Sequence, residues 1–135
     1  MSKLSSICIA VGILAVGACA HSVPKTEYDA AISRAERDYN EAKAKCAGYS
    51  GNARDICEAE AKAQRAKSEA DAKAEYSDTS KARYDQRVAA AEADYKVTRQ
   101  RCDDLAGDNK DVCIKDAEAA LARAKADAKT AYRSY

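Results

Sequence analysis

Shifted by 56 residues, the chain lands on itself. Tyr28, Tyr39, Cys46, Gly51, Asp55, Cys57 and Tyr76 fall on Tyr84, Tyr95, Cys102, Gly107, Asp111, Cys113 and Tyr132. Over residues 28–76, 18 of 49 positions are identical without a gap. A fixed period of this length means one supersecondary unit written twice. Each copy must therefore build most of its own structure, with a short linker near Ser77–Ser80 between them.

Each unit reads as a helical hairpin. Tyr28, Ile32, Ala35, Tyr39, Ala42 and Cys46 recur at spacings of four and three, one stripe of a helix. Thr26, with Asp29 three residues on, gives a capping-box-like start. The stripe stops at Ala47-Gly48-Tyr49-Ser50-Gly51, after which Asn52 is placed to cap a second helix, with Asp55 in its first turn. Cys57, Ala61, Ser68, Ala72 and Tyr76 form that helix's inward face, matched by Cys113, Ala117, Ala124, Ala128 and Tyr132. Alanine, 32 of 135 residues, has the best helix propensity, and no proline follows Pro24. The fold class expected is all-α: two tandem antiparallel hairpins, residues 26–77 and 80–135. Whether they pack as a four-helix bundle, or the second and third helices run on as one rod, stays open at this level.

Hairpin geometry pairs the cysteines. Cys46 ends one helix and Cys57 begins the next on the same stripe, so a bridge across the tip is sterically natural, and Cys102–Cys113 repeats it. Counting back along both helices brings Tyr28 to Tyr76, and Tyr84 to Tyr132, as a tyrosine clasp at the open end. A buried alanine methyl contributes only about 0.8 kcal/mol. A bridge closing about a dozen residues contributes roughly 3 kcal/mol. The staples therefore weigh heavily in a chain with no Trp or Phe.

The N-terminal segment carries a destination. Ile7 to Cys19 is an apolar run too short for a membrane-spanning helix, which needs about 20 residues. It fits the core of an export signal closed by small residues. Val16-Gly17-Ala18-Cys19 resembles the lipobox of bacterial lipoproteins. That resemblance implies a signal at 1–18, diacylglycerol on Cys19 and a tether over 19–25. Ordinary cleavage after Ala20 is the rival reading. Ala20 rather than Asp after the cysteine implies the outer membrane of a Gram-negative cell, facing the periplasm. Removal of Cys8 with the signal and acylation of Cys19 leave four of the six cysteines for two bridges in an oxidising compartment.

The tip segments carry a second resemblance. Cys46-Ala-Gly-Tyr-Ser-Gly-Asn-Ala-Arg-Asp-Ile-Cys57 and Cys102-Asp-Asp-Leu-Ala-Gly-Asp-Asn-Lys-Asp-Val-Cys113 resemble a repeat of proteobacterial exported proteins, roughly C-D-x-L-x-G-N-x-K-D-V-C before an Ala/Lys/Glu-rich helix. Some members are labelled TolA-like on composition alone, and the family implies no catalytic residues. The first copy departs from the pattern at Ala47 and Tyr49, which puts the roles of Asp103 and Leu105 in doubt there.

Little in the chain suggests reaction chemistry. His21, the only histidine, lies on the tether, where no imidazole is positioned for acid–base work. C-x10-C is the wrong spacing for structural zinc, so no metal or other cofactor is expected. Twenty-three basic against 22 acidic residues give no field for nucleic acid. The carboxylates alternate with Lys and Arg as a solvated ion-pair surface. Two function classes remain. One is a lipid-anchored structural or protein-interaction module touching envelope proteins, peptidoglycan or itself. The other is a small disulfide-stabilised binding or inhibitor protein. In either, the apolar tip residues Tyr49 and Leu105 are the candidate recognition points.

Overall fold

The computed structural model describes residues 23–134. Cys19, His21 and the segment expected to be an export signal lie outside the described residues. Four helices fill most of that span: α1 (Lys25–Cys46), α2 (Gly51–Ser77), α3 (Ser80–Cys102) and α4 (Gly107–Arg133). No strand occurs among the described residues. Each half is an antiparallel hairpin stapled at its tip, Cys46–Cys57 with a Cα separation of 5.6 Å and Cys102–Cys113 with 5.7 Å. At the other end the ring centroids of Tyr28 and Tyr76 stand 4.9 Å apart, and those of Tyr84 and Tyr132 5.4 Å. Both separations suit tilted aromatic pairs.

The tips repeat in backbone as well as in sequence. Gly51 and Gly107 both take φ +57° where the second helix of each hairpin begins. A Cβ there would meet no atom within 4 Å, so the requirement is conformational rather than steric.

Between the hairpins the chain reverses. Asp78 closes α2 in the left-handed region (φ 44°, ψ 38°), its N–H reaching Ala74 O at 2.9 Å. Thr79 then caps α3, accepting from Ala82 N at 3.1 Å. The single-rod alternative for α2 and α3 is therefore overturned. The two helices lie side by side, joined over Ala59, Ala63, Ala66, Ala93 and Val97. The closed bundle is not formed either. Only α1–α2, α2–α3 and α3–α4 are in contact, so the molecule is an open single layer with α1 and α4 as its edges.

Two expected caps fall elsewhere. Thr26 lies inside α1, whose N-cap is Pro24; the Pro24 carbonyl accepts from Glu27 and Tyr28 N–H at 3.0 and 3.1 Å. Asn52 caps nothing. Its amide donates to Gln100 O at 3.3 Å and Asp104 Oδ1 at 2.7 Å, and accepts from Gln100 Nε2 at 2.8 Å. That side chain ties the tip of one hairpin to the tip of the other.

Candidate functional site

The layer gives α2 and α3 two buried faces each. On α2, Ala61 and Ala72 belong to the stripe that carries the cystine and tyrosine, while Ala63 and Ala74 belong to a second one. On α3, Ala82, Ala93 and Val97 are buried on the face turned to α2. The second stripe places the two hairpins side by side.

In the second hairpin that seam holds an apolar groove. It encloses about 720 Å³ between α3 and α4 toward the tip, with Tyr95, Leu105, Val112 and Leu121 over a floor of Ala117 and Ala124. Val112 is 57% exposed and Leu105 44%. Large aliphatics left this open in an Ala-rich chain are the observation that singles out the site. Asp94, Asn109 and Asp116 stand at its edge, and Asp94 is paired with Lys67 of α2.

The equivalent place in the first hairpin is built differently. Leu121 is replaced there by Arg65, whose guanidinium lies 4.4 Å from the Tyr39 ring centroid. Glu36 holds it at 3.2 Å and Glu69 at 3.5 Å. A stacked, doubly paired arginine puts charge where the second copy presents a bare leucine. Of the two expected recognition points, Leu105 lines the groove. Tyr49 stands 56% exposed at the first tip and is not among the groove residues. Leu121, Val112 and Tyr95 were not singled out from sequence. The signal was present in the 56-residue overlap, where Arg65 faces Leu121.

The second tip also carries a tie that the first lacks. Asp103 pairs with Lys110 at 2.8 Å and accepts from Gln100 Nε2 at 3.1 Å. The hydrogen bond from Lys110, helped by its charge and that of Arg99, holds the Asp103 carboxyl below its ordinary value of 3.8. Ala47 stands at the matching position, so the first tip has no such pair.

Two further clefts line the junction of the hairpins. One, of about 490 Å³, lies between α2 and α3 with Glu58, Lys62, Glu92, Lys96 and Arg99 around an alanine floor. The other, of about 460 Å³, lies nearer the tyrosine end beneath Tyr28 and Ile32. Glu58 in the first is shared by Arg54 at 3.1 Å and Lys62 at 3.8 Å. Mixed, solvated charge of this kind makes an ion-pair surface. Among the described residues, no group of three or more His, Cys, Asp or Glu is placed to hold a metal ion. No helix among them is long and apolar enough to cross a membrane.

No protein-family model matches the chain, and neither a curated protein nor a solved structure is significantly similar to it.

Proposed function

We propose that this chain is a non-catalytic cell-envelope lipoprotein. In this reading diacylglycerol on Cys19 tethers it to the outer membrane, and the helical layer faces the periplasm as a protein-interaction module of the exported repeat family it resembles. The groove in the second hairpin carries the proposal. It sits toward the tip, the end away from Lys25 where α1 leaves the tether. Residues 20–24 would reach about 16 Å at roughly 3.3 Å per residue, enough to hold the layer clear of the bilayer surface. Two disulfides suit a compartment that oxidises thiols. An apolar channel between antiparallel helices, edged by Asp94, Asn109 and Asp116, fits the apolar stripe of a partner helix flanked by basic residues.

A volume of about 720 Å³ also lies in the range of drug-sized ligand sites, roughly 300–1,000 Å³. That observation favours the second reading, a small periplasmic binding or inhibitor protein using the same groove.

The tether is tested by intact mass of the protein extracted from its own membranes, before and after thiol alkylation. A mass beginning at acylated Cys19 and lacking four hydrogens is expected, in keeping with the two bridges. A chain beginning unlipidated at His21 overturns the anchor. The groove is tested with a photo-crosslinking residue at Leu105, with and without Leu121→Arg. Loss of a captured protein in the Leu121→Arg variant supports the interaction module. Capture that ignores the substitution overturns it.

A further inference from the structure

The two outer edges of the layer repeat the charges of its central joint. Inside the molecule α2 meets α3 through two ion pairs, Glu60 with Arg101 at 2.6 Å and Lys67 with Asp94. Moving 56 residues forward from α2 gives α4, and moving 56 back from α3 gives α1, with helix ends matching to within a residue. On that shift Glu60 becomes Asp116 and Lys67 becomes Arg123, while Arg101 becomes Lys45 and Asp94 becomes Asp38. All four signs are kept. All four outer residues are exposed, and none makes an ion pair among the described residues. The apolar part of the joint is rewritten only in part, since Ala63 and Ala66 recur on α4 as Ala119 and Ala122. Ala59 and Val97, which belong to one packed cluster, correspond to Lys115 on α4 and Glu41 on α1.

We propose that a second copy of this chain docks on the α4 edge with its α1 edge, in the register of the α2–α3 joint. Asp116 then meets Lys45 of the next copy, Arg123 meets Asp38, and Lys115 meets Glu41. The contact is head-to-tail, so it leaves an α1 edge and an α4 edge free and builds an open row rather than a closed dimer. Arg37 and Glu41 stand where the inner joint has Ala93 and Val97. The contact between copies is therefore more polar than the inner joint, weaker and salt-sensitive. This inference deepens the interaction-module reading without the lipid; of the groove it uses only the edge carboxylate Asp116, and Lys45→Glu with Asp38→Arg leaves every groove residue in place. Its failure leaves the mass and Leu121→Arg experiments standing.

The test uses the protein purified from the cells that make it, disulfides oxidised, in mild detergent. Sedimentation velocity of the wild type is expected to shift to larger species as concentration rises, and to lose the shift at about 1 M salt, where the screening length is about 3 Å. Asp116→Lys with Arg123→Glu, and separately Lys45→Glu with Asp38→Arg, are each expected to abolish the shift. An equimolar mixture of the two variants is expected to restore it, because reversed edge then meets reversed edge. Circular dichroism of each variant checks that the helices persist. A carbodiimide crosslink between Asp116 and Lys45 would report the neighbouring copy, since α1 and α4 of one chain do not touch. A wild type that stays monomeric overturns the proposal, as does association that survives the charge reversals or a mixture that fails to restore it.

Discussion

Asp103 shows how much one position separates the two copies. Its carboxyl is held below 3.8 chiefly by the hydrogen bond from Lys110. A depressed carboxyl adds stability that is fully present above its unfolded value and is lost as pH falls through the folded one. Titration of the Asp103 carboxyl carbon by NMR should therefore give a midpoint below the ordinary range, and Lys110→Ala should return it there. An unmoved midpoint in Lys110→Ala contradicts the pairing. Leu121 makes the companion case. Leu121→Arg imitates the first hairpin in part, with Tyr95 beneath the guanidinium as Tyr39 lies beneath Arg65, while Lys125 stands where the first hairpin has Glu69. Stability should change by no more than about 0.5 kcal/mol, as for most surface substitutions. Binding of an environment-sensitive apolar dye should fall sharply, and unchanged dye fluorescence would count against the groove.

At the scale of the helices, the sequence spelled out each hairpin and concealed the joint between them. Cystine, tyrosine and inward alanine recur at matched positions, so the 56-residue overlap displays them twice. The joint uses Ala59, Ala63 and Ala66 of α2 with Ala93 and Val97 of α3, and only part of it repeats: Ala63 and Ala66 recur on α4 as Ala119 and Ala122, but Arg37 and Glu41 stand on α1 where α3 has Ala93 and Val97. Alanine also favours helix anywhere, so a second alanine stripe looks like propensity until a partner is known. The Asn52 cap was misread for a related reason. Local pattern suggests a local hydrogen bond, while the side chain spends its donors on Gln100 and Asp104 across the joint. Two measurements follow at this scale. Placing the first hairpin's residues on α3, Ala93→Arg with Val97→Glu, should cost roughly 3 kcal/mol or more by setting charge in a packed seam. Each hairpin should stay helical and bridged, read by denaturant unfolding beside circular dichroism. Reduction should act in the opposite way, lowering helicity sharply because about 3 kcal/mol of restraint per bridge is removed. A spectrum indifferent to reductant would contradict that weight.

The described residues form a layer one helix thick, held at three successive seams, with both of their ends at the tyrosine end. Small-angle scattering should show a flattened particle, and a profile matching a closed four-helix bundle would contradict the open layer. Tension has a defined route through such an object. A load drawn between residues 23 and 134 enters beside the tyrosine rings and peels the outer helices away one turn at a time. At each cystine the load crosses to the next helix. Sulfur carries the pull directly from Cys46 to Cys57 and from Cys102 to Cys113, and the backbone of both tips feels none of it. A molecule pulled from both ends would thus keep residues 47–56 and 103–112 out of its extension, and only a thiol reductant would release them.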